Sequence, residues 1–75
     1  MCKLNEVPLG ATCLIKSINN DISIKRRFYD LGLIPKVEVT SLFKSPLGDP
    51  TAYLIKGSII AIRREDAKKV EVELI

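Results

Sequence analysis

The side chains that could hold a metal, move a proton or attack a carbonyl are scarce in this chain. None of its 75 residues is a histidine. That removes the Ser–His and Cys–His nucleophile pairs, the imidazole base and every imidazole metal ligand. Glu65 and Asp66 are adjacent, and two carboxylates can share acid–base work. Followed by Ala67 and two lysines, they read instead as acids opening a short helix, where the dipole favours negative charge. Cys2 and Cys13 have neither metal-ligand nor redox spacing. Cys13 falls in an apolar strand pattern and reads as a small core residue. Lys25-Arg26-Arg27 is a basic run, but three consecutive helical residues fan around the axis and do not share a face. Tyr29 and Tyr53 are the aromatic residues available to stack on a base. We expect no catalytic constellation, no metal site and no cofactor, and weak binding at most of metal or nucleic acid.

The chemistry that remains is recognition, so the elements that would present a surface matter. The clearest is a short helix near 22–31. Ile24, Phe28 and Leu31 fall at i, i+4 and i+7 and form one apolar stripe. Asp21 is its expected N-cap, a carboxylate that can accept from free N–H groups of the first turn. With Leu31 as C-cap, Gly32 takes the left-handed C′ position and Leu33, at C″, meets Phe28 in a Schellman ending. Pro35 prevents continuation. Phe28, Leu31, Gly32, Leu33 and Pro35 are therefore structural, with Phe28 and Leu31 plugging a core.

Strand patterns surround the helix. Leu4 to Gly10 is a lead-in with a turn at Pro8-Leu9-Gly10. Ala11 to Ile18 alternates, with Cys13 and Ile15 on one face and Leu14 and Ile18 on the other. Asn19-Asn20-Asp21 hands over to the helix. Val37 to Phe43 is a half-buried strand with Val37, Val39 and Phe43 pointing one way. Ser45-Pro46-Leu47-Gly48-Asp49-Pro50 holds two prolines and a glycine and can only be a loop. Leu47 at its tip either folds back on the core edge or waits for a partner. Thr51 to Ile55 and Ser58 to Arg63 flank a Lys56-Gly57 hairpin turn. The latter strand is apolar on both faces and is expected to be central. A one-turn helix near 64–68 leads to a last strand, with Val70, Val72 and Leu74 inward.

About five short strands with tight turns and one inserted helix suggest a mainly β fold, a small SH3-like barrel, with an OB-fold as the other candidate. Residues 1–75 are expected to form one domain. Closing a barrel removes free strand edges that a chain with 47% hydrophobic residues would otherwise expose. No apolar run is long enough to span a membrane, and the first residues carry no apolar secretory core, so a cytoplasmic location is expected. The net charge of +3 comes from interleaved acids and bases. That argues against a nucleic-acid surface.

Several segments in this order resemble the ferrous iron transport protein A family: Arg27-Phe28, Leu31-Gly32-Leu33 with Pro35, Pro46 to Pro50, Ala61-Ile62-Arg63-Arg64-Glu65-Asp66-Ala67 and Val70-Glu71-Val72. The resemblance implies an SH3-like barrel and a non-enzymatic cytoplasmic accessory protein. Its partner would be the large ferrous iron permease with its cytoplasmic GTPase domain, and contact with the membrane would be through that partner alone. The family pattern has glycine after the proline before the second strand. With Lys36 there, a type I or open turn is expected. A similar module ends metal-dependent repressors, and a small nucleic-acid-binding barrel is a further alternative. A proline-peptide groove would need more aromatic residues than this chain has. The candidate partner-binding residues are Arg26, Tyr29 and Asp30 on the helix, and Leu47, Gly48 and Asp49 at the loop tip. The oligomeric state is open.

Overall fold

The computed structural model describes residues 2–18 and 21–75. In chain order come β1 (Cys2–Lys3), a 3-10 turn (Leu4–Glu6), β2 (Thr12–Ile18), α1 (Ile22–Asp30), β3 (Glu38–Lys44), β4 (Thr51–Ile55), β5 (Ser58–Ile62), α2 (Arg64–Ala67) and β6 (Val70–Leu74). The expected handover at Asn19 and Asn20 lies outside the described residues. The strands pair antiparallel in one sheet, ordered β1-β6-β2-β3-β4-β5. It has one strand more than expected. β1 sits inside the supposed lead-in, placing Cys2 opposite Val72 and Lys3 opposite Glu71. Two residues are too short to show a period.

Leu4, just after β1, and Ile62 of β5 belong to one buried cluster with Cys13, Ile15, Phe28, Leu33, Val39, Tyr53, Ile55, Val70 and Val72. Both ends of the sheet therefore contribute to one core, and a flat sheet cannot do that. The sheet curls around its inner face, which is the barrel geometry the strand pattern called for. Phe28 and Leu33 fill it from the side of α1.

Two bulges decide which residues face in. The β2–β6 register shifts between Ile15 and Ser17. This turns Ile18 to the inner face beside Ile15, where simple alternation had put it outside. The β3–β4 register shifts between Ser41 and Phe43. Val39 and Ser41 point inward and Phe43, expected inside, is 57% exposed. Leu31 is a second apolar residue on the wrong side of its expectation. It is 40% exposed, because the left-handed turn at Gly32 delivers Leu33 to the core in its place. Leu74, expected inward, is also exposed. β5 was expected to be central and is an edge, paired among the described residues with β4 alone.

The Ile34–Val37 turn corrects a further expectation. Val37 N–H donates to the Ile34 carbonyl at 3.3 Å and Lys36 has φ +73°. A type I turn would put that residue near −90°, so the turn is of the glycine-requiring kind with lysine in the glycine position. The Lys56-Gly57 hairpin turn has positive φ at both residues, the type I′ pattern.

Candidate functional site

α1 begins and ends as its sequence dictates. Asp21 Oδ1 accepts from the Ser23 N–H at 2.9 Å and from the Ser23 hydroxyl at 2.7 Å. These bonds stabilise the charged form and hold the Asp21 carboxyl below its ordinary range. At the other end, Leu33 N–H donates to the Phe28 carbonyl at 2.9 Å and Gly32 N–H to the Tyr29 carbonyl at 3.0 Å. Those two bonds define the Schellman motif, with Gly32 at φ +93°. With both ends fixed and Phe28 buried, the opposite face is presented rigidly.

That face carries Ile22, Arg26 and Tyr29 at i, i+4 and i+7, all exposed. Arg26 and Asp30 line two shallow open depressions, one shared with Ile22, Ser23 and Arg27 and the other with Ile22, Lys25 and Tyr29. Sequence reasoning found Arg26, Tyr29 and Asp30 but passed over Ile22. Its signal was present, since Ile22 and Tyr29 repeat the period of the buried stripe on the opposite side of the helix.

The 45–50 loop is braced from within. Gly48 N–H donates to the Ser45 carbonyl at 2.8 Å, Ser45 N–H to the Pro50 carbonyl at 3.0 Å, and the Ser45 hydroxyl to the Asp49 carbonyl at 2.6 Å. The Asp49–Pro50 peptide is cis. Leu47 at the tip is 94% exposed, which decides between its two readings against folding back on the core. Asp49 has a structural role that the sequence did not reveal. Its Oδ1 accepts from the Arg64 N–H at 2.8 Å, supplying the acceptor at the start of α2 that the N-cap residue Arg63 lacks.

α2 is what relates the two candidate groups. It is tied to the tip by Asp49, and to α1 by the Arg27 Nη2–Asp66 Oδ1 pair at 2.8 Å. Lys69 also approaches Asp66 at 3.8 Å. Among the described residues no hydrogen bond or ion pair joins the α1 face directly to the loop tip. Asp66, read from sequence as a solvated helix-start acid, is thus half of a tertiary link. Thirty-nine residues separate it from Arg27, and no local pattern announces a pair that distant.

Among the described residues, no group of three or more His, Cys, Asp or Glu is placed to hold a metal ion. Burial, with Cys2 nearby, pushes the Cys13 thiol up to about 11, so it is a protonated core residue at neutral pH. Among the described residues, no helix is long and apolar enough to cross a membrane. What the arrangement can do is bind, through a rigid amphipathic helix face and a braced apolar tip.

The family model described as the FeoA domain matches residues 2–74. A fusion of Fe(2+) transport protein A with the Fe(2+) transporter FeoB, from Porphyromonas gingivalis, is 33% identical over 73 residues. The match covers 97% of this chain and 9% of that fusion, so the chain spans about a tenth of its curated relative. The solution structure of FeoA from Chlorobium tepidum is 30% identical, with a TM-score of 0.88 over 97% of this chain and 70% of the other. The crystal structure of Stenotrophomonas maltophilia FeoA complexed with zinc is 28% identical, with a TM-score of 0.83 over 97% and 91%. That protein is described as an SH3 domain protein and a candidate activating factor for ferrous iron transport. The mainly β, SH3-like reading of the sheet agrees with these structures.

Proposed function

The chain belongs to the FeoA family, and from that premise we propose that it is a non-enzymatic cytoplasmic accessory protein of ferrous iron uptake. It docks on the cytoplasmic part of the ferrous iron permease, the portion with the GTPase domain, and modulates transport. The observation that carries this reading is the fusion relative, where an FeoA sequence and an FeoB transporter share one polypeptide. Covalent linkage replaces a weak encounter by a high effective concentration, which is useful only if the two parts work in contact.

The docking surface in this proposal is the outer face of α1, with Arg26, Tyr29 and Asp30, together with the tip residues Leu47, Gly48 and Asp49. Leu47 and Tyr29 are its apolar anchors, because each is exposed on a backbone that is already fixed and little entropy is lost on binding. Arg26 sets orientation at the rim. Asp49 contributes by holding the tip against α2. The test uses Leu47→Asp and Tyr29→Ala. Both should keep the parent circular dichroism spectrum, while capture of the detergent-solubilised permease and ferrous iron uptake fall. Normal uptake by both folded variants would place the docking surface elsewhere.

A further inference from the structure

β5 is an apolar edge strand that bears no protecting residue, and its surroundings say what it accepts. Its sequence, Ser58-Ile59-Ile60-Ala61-Ile62, contains no charge and no proline, the usual devices that keep an edge from pairing. The two-residue turn makes Ile55–Ser58 a hydrogen-bonded pair. By alternation Tyr53–Ile60 and Thr51–Ile62 are hydrogen-bonded too, so the N–H and C=O groups of Ile59 and Ala61 face the open edge.

The outer face of the sheet continues this edge. The register aligns Thr40, Leu54 and Ile59 in one row across β3, β4 and β5, and Phe43, Ala52 and Ala61 in the next. Phe43 is 57% and Ile59 63% exposed, and Leu54 and Ala61 are also on the surface. An apolar sheet face beside unpaired backbone is the geometry of strand addition, where main-chain bonds give affinity and alternate side chains give selectivity.

Charge selects the occupant. Lys56 stands exposed at one end of β5, and Arg63 and Arg64 at the other. None of the three holds an ion pair among the described residues. Glu65 follows the two arginines, and the Asp49 carboxylate accepts from the Arg64 backbone N–H at 2.8 Å. A second copy pairing antiparallel about Ile60 would bring Lys56 against Arg64 of its mate, and symmetry would repeat the clash. We propose that β5 takes an extended segment of a partner polypeptide, with apolar side chains at alternate positions and carboxylates at both ends. This surface is distinct from the α1 face, and its Arg64 end adjoins the loop tip through the Asp49–Arg64 bond.

The probe is a synthetic peptide, Glu-Asp-Val-Thr-Val-Thr-Val-Asp-Glu, titrated into the 15N-labelled protein. The expected result is shifts in, and slowed exchange of, the Ile59 and Ala61 amides. Binding should be about ten-fold weaker for the same peptide with lysine ends, and should weaken with salt. Ala61→Pro removes an edge donor without touching the β4 ladder, so it should stay folded and lose the peptide. Lys56→Glu combined with Arg64→Glu should reverse the preference to the lysine-ended peptide. Equal binding of both peptides, binding that survives Ala61→Pro in the folded protein, or shifts confined to α1 would overturn the proposal. So would sedimentation as a dimer that Ala61→Pro dissolves, since the edge would then belong to a second copy. Flotation with anionic phosphatidylserine vesicles that the same variant abolishes would assign it to lipid and overturn it equally.

Discussion

Replacing Gly32 by alanine isolates the cost of a backbone conformation from the cost of crowding. A methyl group built there lies 3.6 Å from Ile55 Cγ2 and 3.8 Å from Lys56 Cδ, which is ordinary van der Waals contact. Neighbours therefore impose no penalty, and φ of +93° imposes all of it. A left-handed residue with a Cβ costs about 1–2 kcal/mol. Alanine regains about 0.4–1 kcal/mol by restricting the unfolded chain. The midpoints of these ranges leave a net loss of about 0.8 kcal/mol, and a domain of this size loses about 4–8 °C of Tm per kcal/mol. Relaxation of the turn would add to it, since the bonds to the Phe28 and Tyr29 carbonyls and the seating of Leu33 all depend on this residue. Urea unfolding followed by circular dichroism measures the change at constant m. Gly32→Asn separates the two causes, because asparagine tolerates the left-handed region but is larger than alanine. The expected order is Gly, then Asn, then Ala. An alanine variant as stable as the parent, or an asparagine variant less stable than alanine, would refute the conformational account.

Phe28→Ala should cost about 3–5 kcal/mol, the range for a buried aromatic truncated in a core, and a domain this small then stands near unfolding. An unchanged urea midpoint would show that α1 does not plug the core. Lys36→Gly should stabilise by about 0.5–1 kcal/mol, because relief of the left-handed strain outweighs the added freedom of the unfolded chain; a lower midpoint would contradict the turn geometry. For Asp21, the folded state holds the carboxyl below its ordinary value of 3.8, mainly through the Ser23 hydroxyl. The native state therefore binds that proton less readily than the unfolded one, so the stabilisation is present above 3.8 and is lost as pH falls through the lowered native value. Asp21→Asn keeps a capping oxygen without the charge, so parent and variant stabilities should converge in acid, and a constant gap down the pH series would rule out the linkage.

The helix was legible because its signals are local. Asp21, Gly32, Leu33 and Pro35 specify its ends through bonds spanning a few residues, and the structure reproduces each cap. The strands were legible as segments and less so as faces. Period-two alternation assumes an uninterrupted ladder, and the bulges at Ile15/Ser17 and Ser41/Phe43 break it by pairing choices made with distant strands. Ser58 to Ile62 looked central because both its faces are apolar, yet only Ile62 is fully buried and Ile60 partly so. Of the candidate site, Arg26, Tyr29 and Leu47 are exposed. The attachment of Asp49 to Arg64 and of Arg27 to Asp66 had no local signature.

The second bulge is the place where folding alone gives the poorest account. An unbulged β3 would keep strict alternation and put Phe43 on the inner side with Val39. Alternation from Val39 buries Ser41 with or without the bulge, and its Oγ has no hydrogen-bond partner among the described residues; the bulge after it leaves Phe43 outside. A buried unsatisfied hydroxyl costs about 1–3 kcal/mol, and an aromatic left in water forgoes a comparable gain. The second term follows from the bulge and runs against stability in a domain that has little to spare. The same shift sets Phe43 opposite Ala52, and so in line with Ala61 on the open edge. The outer apolar face thus depends on an irregularity that the core does not need. A variant that swaps the two residues, Ser41→Phe with Phe43→Ser, tests this directly. If it folds with greater stability and loses the edge-binding peptide, the bulge serves the surface and not the core.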